Sequence, residues 1–464
     1  MIAEMKPIGA LPEFEVKRDW RTLRLWQVAD LRSEKNKPGA QLLSVFLHRG
    51  VIRYGEGGGQ VHKPGLDLST YQVVKQGDLV LNNQQAWRGS VGVSRYDGII
   101  SPAYVVMRLR GLITPRYGDY LFQSRCMVDQ YITSSKGVGD IQRDVYLAWL
   151  KNVKVPVPPP DEQELIVRFL DWASVRLGKA IAAKRKVIRL LEEQKQVIIH
   201  RAVTRGLDNS VPLKPSGLDW LGDVPEHWNV KRIKYLMRVV ENRSENGDEV
   251  LLSMRKYHGL VPYHEHFSKP PQAATLKGFK IIEKGQIATN RMQAGFGLIF
   301  ESNQKGIVSP DFGVFQPTGE VIPEFLGLLF RSRNVRAKFH GESKGLGTGK
   351  SGFMRLYDDR IGWIHIAYPP TVNEQEFILK KLAGELDEIA KPRSTVEREI
   401  ELLQEYRTRL ITDVVTGKLD VREYARTLPA EIAEVAVELV SSERDDEFSD
   451  TDAEPADELT GEPA

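Results

Sequence analysis

VPVPPPDEQE at residues 155–164 and IAYPPTVNEQE at residues 366–376 are two versions of one pattern. Each is a short β-prone run that ends in a proline step and opens into a long segment with helical periodicity. From Glu162-Gln163-Glu164 the match to Glu374-Gln375-Glu376 continues at a constant offset of 212. Leu190-Leu191-Glu192-Glu193 meets Leu402-Leu403-Gln404-Glu405. Val203-Thr204, Leu207 and Asp208 meet Val415-Thr416, Leu419 and Asp420, and no gap is needed over these 47 positions.

The segments ahead of these also correspond, at an offset near 208. Trp20, Arg24 and Leu25 match Trp228, Arg232 and Ile233, and Gly77-Asp78-Leu79 with Asn82 matches Gly285-Gln286-Ile287 with Asn290. Gly98-Ile99-Ile100-Ser101-Pro102 matches Gly306-Ile307-Val308-Ser309-Pro310, and Lys136-Gly137-Val138-Gly139 matches Lys344-Gly345-Leu346-Gly347. Self-similarity at a fixed period means one supersecondary unit used twice. The chain therefore reads as globule, helix, globule, helix and tail.

In the first helical part Ile166, Leu170, Ala173, Leu177, Ala180, Val187, Leu191 and Ile198 alternate at spacings of four and three, with Lys184 and Gln194 as polar exceptions. That is a heptad stripe wanting one partner helix. The second copy offers Ile378, Leu382, Ile389, Val396, Ile400, Leu403 and Leu410, with Pro392 expected to kink or split it. Two such helices in one chain pack most simply on each other, antiparallel.

The globules mix both periodicities. Asp78–Leu81, Ala103–Met107, Val153–Val155, Gly313–Phe315 and Trp363–Ile366 read as short strands between glycine and proline punctuation. Tyr117–Tyr131 and Pro323–Phe339 read as helices. The expected fold class is α+β.

Charge is uneven along the chain. Residues 431–464 carry thirteen acidic groups against Arg444 alone, whereas the remaining residues carry 64 basic and 49 acidic groups, a net of +15. A basic body suits a polyanion, because neutralised phosphates release counterions, although a solubilising surface excess would look the same. The acidic tail has too few large apolar residues to fold by itself, apart from a short helix expected at Ala430–Val440. Cys126 is the only cysteine, which excludes internal disulfides and a cysteine zinc cage, and it reads as buried helix packing. The N-terminus lacks an apolar secretory region and no apolar run is long enough to span a membrane, so a cytoplasmic location is expected.

The stretch His200–Asp208, then Pro212–Gly217 and Trp220–Trp228, resembles the junction in type I restriction–modification specificity subunits. The proline step into Glu162-Gln163 resembles the same family, as do Val415–Asp420 and Gly77–Asn82 leading to Ser101–Tyr104. The resemblance covers roughly residues 11–424, and Pro392 and the acidic tail depart from it. It implies a first target-recognition domain at 1–158, a first helical spacer at 159–207, a second recognition domain at 208–370, a second spacer at 371–424 and a tail at 425–464. It also implies two similar recognition domains each followed by a long helix, the helices packing as an antiparallel coiled coil. Each domain would read one half of a split, asymmetric sequence in double-stranded DNA. The helices would set the spacing and dock two methylation subunits and, where present, two restriction subunits. This chain would bind no cofactor and catalyse nothing. S-adenosylmethionine, ATP and Mg are expected on the partners, in a complex acting as an adenine-N6 methyltransferase and ATP-dependent endonuclease.

Enzyme signatures do not compete well with this reading. Gly345–Ser351 looks like a phosphate-binding loop, but Lys344 stands where the motif needs glycine, leaving a DNA phosphate contact or an ordinary glycine loop. No Asn-Pro-Pro-aromatic motif is present, and Pro160-Asp161 and Pro310-Asp311 lack the acid-x-lysine of nuclease sites. His258, His264 and His266 lack the spacing of a zinc site, and Asp358-Asp359 reads as a solvated loop. For DNA contacts, Asn82, Gln84, Arg88, Asn290 and Arg291 have the chemistry to read bases, while the asparagines equally suit strand-end caps. Lys136, Arg143, Lys344, Lys350 and Arg355 suit phosphates better. Trp20 and Trp228 are expected to pack where each globule starts. A helical adaptor whose basic globules bind protein or RNA is the alternative.

Overall fold

The computed structural model describes residues 20–429, apart from 36–38, 48, 57–63, 65–66, 139–141, 209, 257, 268–269, 272 and 347–352. Ala430–Val440, the acidic tail and Lys350 lie outside the described residues. The described residues divide into two compact units, residues 20–186 with 396–429 and residues 187–395. Each unit thus owns one globule and half of each long helix.

The two globules share one plan. In the first, a four-stranded antiparallel sheet has the order Ala29–Leu31, Tyr104–Leu109, Asp78–Asn82, Val91–Val93. In the second the order is Met237–Val239, Phe312–Pro317, Ile287–Asn290, Ile299–Glu301. The apolar run Leu79-Val80-Leu81 is wholly buried because it is central, with one face on the helices and the other on the hairpin Leu43–Phe46/Gly50–Arg53.

Helix pairs cover each sheet, and here the expectation of one helix per copy is corrected. Residues 115–133 form two helices, Pro115–Gln123 and Arg125–Thr133, and residues 323–342 form Pro323–Arg331 and Arg333–Glu342. The break falls at Ser124 and at its repeat partner Ser332, both extended, with ψ of 155° and 150°. The Ser124 hydroxyl donates to the Leu121 carbonyl. Serine competes for backbone partners in this way, while apolar periodicity runs on across the break and hides it. The strand expected at Trp363–Ile366 begins later, at His365, and Trp363 ends the short helix Asp358–Trp363.

The neck of each globule explains the twice-written sequence. Strand Arg21–Arg24 pairs antiparallel with Lys154–Val157, and Asn229–Arg232 pairs with His365–Tyr368. The indole N–H of buried Trp20 donates to Glu162 at 2.8 Å, and that of buried Trp228 to Glu374 at 3.0 Å. The middle residue of the motif is fully buried. Gln163 accepts from the Thr114 N–H and donates to the Leu112 and Pro158 carbonyls, at 2.8, 2.8 and 2.9 Å. Gln375 repeats the set with the Ile322 N–H and the Glu320 and Pro369 carbonyls, at 2.8, 2.9 and 3.1 Å.

The long helices are Pro160–Arg205, of 46 residues, and Val372–Val415, of 44 residues. In the first unit the start of one meets the end of the other: Ile166, Phe169, Leu170 and Ala173 share a core with Leu410, Val414 and Val415. Lys184 pairs with Glu399 at 2.6 Å. In the second unit Ile199, Ala202 and Val203 share a core with Ile378 and Leu382, and Arg393 pairs with Glu192 at 3.2 Å. Both halves are therefore antiparallel. The second helix continues through Pro392, where the Ser394 and Thr395 hydroxyls donate to the Lys391 carbonyl.

A strict heptad seam is too narrow and too even. Val187 is 42% exposed, Leu177, Leu191, Ile198, Val396 and Leu403 are half-buried, and Ile199 takes the buried place beside Ile198. Near its globule a helix faces two neighbours and needs a wider apolar stripe, whereas farther along it has one partner helix only.

Cys126 is buried in the second of the first unit's paired helices, and burial pushes its thiol up to about 11. We expect it to resist aromatic disulfide reagents at pH 8 until denaturant is added. Because the folded pKa lies above the ordinary 9.0, its contribution to stability is full below about pH 9 and is lost toward pH 11. We expect Gln163→Ala to cost roughly 3 kcal/mol by urea unfolding, since it leaves buried backbone groups unpaired. Loss under 1 kcal/mol would mean that these groups find other partners.

Candidate nucleic-acid interface

In each unit a central strand ends in a polar turn that carries one 3-10 turn. Asp78–Asn82 leads into Ala86–Arg88, and Ile287–Asn290 into Ala294–Phe296. Gly89 and Gly297 close these turns at φ of +100° and +90°, a left-handed conformation that glycine adopts without strain. The asparagines act as caps. Asn82 Oδ1 accepts from the Gln84 N–H at 3.0 Å, and Asn290 Oδ1 from the Met292 N–H at 3.1 Å.

A hairpin joins each turn. Ser135–Val138 pairs with Gln142–Val145, and Lys344–Leu346 with Phe353–Arg355. Backbone bonds weld hairpin to turn, Val145 N–H to the Asn83 carbonyl at 3.0 Å and Leu356 N–H to the Arg291 carbonyl at 2.8 Å. Residues 50 or more apart in sequence thus form a single surface in each unit.

The first unit makes that surface cationic and aromatic. The Trp87 indole N–H donates to the Gln84 carbonyl at 2.9 Å, which holds the ring across the turn. The guanidinium groups of Arg88 and Arg143 lie 4.6 and 5.4 Å from its centre. Lys136 Nζ sits 4.0 Å from the Tyr146 ring and 4.9 Å from that of Trp149. Gln84, Arg88 and Lys136 are exposed. Cations braced by rings stay accessible in few rotamers, an arrangement suited to phosphates, and exposed rings offer faces to bases.

The second unit builds its surface differently. Arg291 Nε donates to Asp358 Oδ1 at 2.8 Å, and its Nη1 to the Asp311 carbonyl at 3.1 Å. The Arg291 and Asp358 side chains are only 12% and 18% exposed. Burial pulls the Arg291 pKa down, but hydrogen bonding to and the charge of Asp358 more than offset it, leaving the guanidinium above its ordinary value. Arg355 reaches Asp311 at 3.2 Å. Phe296, at the position of Arg88, is 58% exposed, and Lys344 is exposed on the hairpin.

No protein-family model matches the chain. It is 22% identical over 373 residues to the type I restriction enzyme MjaVIII specificity subunit of Methanocaldococcus jannaschii, covering 75% of this chain and 81% of that protein. A second protein of that organism, provisionally named the type I restriction enzyme MjaX specificity subunit, is 22% identical over 292 residues, 61% of this chain and 63% of its own length. A solved structure, described as the basis of complex assembly and conformational transition of the type I restriction–modification system, overlays with a TM-score of 0.54. Its sequence identity is 17%, and the overlay covers 88% of this chain and all of that one. The chain is thus similar in sequence and in fold to proteins of type I restriction–modification systems, the family whose specificity subunits its junction resembles.

The placement of the candidate residues separates two roles. Asn82, Asn290 and Arg291 point inward and shape their turns. Gln84, Arg88, Lys136 and Arg143 in the first unit, and Lys344 and Arg355 in the second, lie on the turn-and-hairpin surfaces. Asp358 is not on a solvated loop, because it opens a short helix and holds Arg291. Sequence reasoning missed it, since its partner lies 67 residues away. It also missed Tyr146 and Trp149, whose only signal was the recurrence of Tyr146 as Tyr357 after each hairpin.

Removing one partner of a largely buried pair strands the other. We expect Asp358→Ala to destabilise the second unit by about 3 kcal/mol. The double change with Arg291→Ala should recover part of that loss in a double-mutant cycle. Strict additivity in equilibrium unfolding would show that the pair is not coupled.

Proposed function

We propose that this specificity subunit reads a split, asymmetric duplex sequence, one half with each turn-and-hairpin surface, and directs methylation without performing it. The observation that carries the reading is the repeat itself. One scaffold is kept in both units, while the residues it presents differ: Gln84, Trp87, Arg88 and Arg143 against Met292, Gly295, Phe296 and Met354. A constant frame with different faces is what reading two different half-sites requires.

Specificity subunits are non-catalytic, and the chemistry of the complex is carried by partner subunits. S-adenosylmethionine, ATP and Mg are assigned to those partners. The repeat supports two docking places for methylation subunits, since exposed Leu190 on the first long helix has exposed Leu402 as its repeat partner on the second. Two like subunits can then bind like surfaces while the DNA halves differ. Lys136 and Lys344 would position phosphates, and Gln84 and Arg88 would reach base edges of the first half-site.

Methylated-base sequencing of DNA from cells that express this chain with its methylation subunit tests the proposal. A two-part motif that appears only with this chain is expected. Arg88→Ala should relax one half of that motif, at about 1–3 kcal/mol per lost base contact, and leave the other half unchanged. Loss spread evenly over both halves, or binding indifferent to duplex sequence, would favour an adaptor for protein or RNA.

A further inference from the structure

Beside the second unit's turn lies a cluster that the reading of half-sites does not use. The short helix Asp358–Trp363 begins at the carboxylate that holds Arg291 and ends at Trp363, about 8 Å further along at the helical rise. Trp363 is 55% exposed. Arg232 Cζ lies 4.4 Å and Lys234 Nζ 4.1 Å from its ring centre. Lys234 also lies 5.1 Å from the ring of Tyr235, which is 58% exposed. Among the described residues neither cation enters an ion pair. Their charge is therefore available to a ligand, and the rings hold it in place.

The first unit offers a comparison inside the same molecule. Its matching short helix, Leu147–Leu150, also carries a tryptophan, Trp149, braced against a cation, Lys136. Tyr146 and Tyr357 stand at the corresponding N-caps, so Trp149 is the third residue of its helix and Trp363 the sixth. Residues three apart share a helix face. The cations, however, come from different elements: the hairpin in the first unit, the strand Asn229–Arg232 and the turn Ile233–Tyr235 in the second. At the first unit's counterpart of Arg232, Arg24 is bonded instead to Asn152 at 3.1 Å. The same chemistry next to the reading turn is thus assembled twice from unrelated residues.

We infer that Arg232, Lys234 and Trp363 form a sequence-independent contact to the sugar–phosphate backbone of the duplex read by the second unit. The inference rests on the DNA-reading function proposed above. Two cations with no carboxylate partner among the described residues, in a body of net charge +15, fit an anionic polymer. Exposed aromatic faces beside them fit sugar or base surfaces without selecting a sequence. Binding energy would be added while the recognised motif stays the same.

The test uses the complex assembled with its methylation subunits and a duplex containing the target. Affinity is measured between 50 and 200 mM salt, values chosen to span the range over which phosphate contacts are strongly screened. Arg232→Gln with Lys234→Gln should weaken binding roughly ten-fold and lower the salt slope by about 2, with the methylated motif unaltered. Trp363→Ala should weaken binding with little change of slope, and the charge variants keep the test valid if that variant folds poorly. Unchanged affinity and slope would overturn the inference, as would an altered motif. Loss of methylation subunits from the variant complex would overturn it in favour of a protein-docking face. If the unmutated complex fails to discriminate duplex sequences, the DNA-reading function itself falls.

Discussion

A buried glutamine at the start of each long helix is the constraint on which the rest of this protein depends. Gln163 and Gln375 have no exposed surface, yet each satisfies an N–H and two carbonyls that no regular element pairs. The three groups come from the proline step and from the loop that enters the paired helices over the sheet. One side chain therefore fixes the helix start, the exit of the last strand and the helical layer together. The preceding glutamate adds the indole of Trp20 or Trp228, which brings in the first strand. Leaving such buried backbone groups unpaired would cost more than any single apolar contact there provides.

That rigid neck gives the outer surface its freedom. The turn after the central strand and the hairpin welded to it are built from residues other than those of the strand pair and glutamine that make the neck. In the first unit they are built around Trp87 and three cations, and in the second around the Arg291–Asp358 pair. The caps Asn82 and Asn290, the left-handed glycines and the backbone ties are common to both. These are the parts that backbone geometry demands. The remainder, such as Trp87 and Arg88 against Gly295 and Phe296, differs between the units.

The long helices show the same division along their length. Where they meet a globule, as at Ile166, Leu170, Ile378 and Leu382, side chains are buried from two sides. Further along, Val187 and Leu190 face solvent and polar pairs such as Lys184–Glu399 and Arg393–Glu192 take over the pairing. Exposed ion pairs of this kind add little stability, but opposite charges at fixed positions favour one register of two otherwise similar helices. Apolar side chains such as Leu190 and Leu402 are left uncovered there.

By itself the sequence determined the duplication, the alternation of α+β globules with long helices, and the basic body. Those properties rest on periodicity and on residue identity at fixed offsets, both local to the chain. It also marked Glu162-Gln163-Glu164 and its copy as the decisive motif, without saying what the glutamine touches. Only tertiary structure decided that Asn82 and Asn290 cap turns, that Arg291 is held by Asp358, and that Ser124 and Ser332 break helices whose apolar pattern continues. It alone gathered Arg88, Arg143 and Lys136 around Trp87, Tyr146 and Trp149. The reason is the same in each case: hydrogen bonds and cation–ring contacts depend on distances of a few ångströms between residues tens of positions apart, and no local pattern records which of many polar side chains will meet.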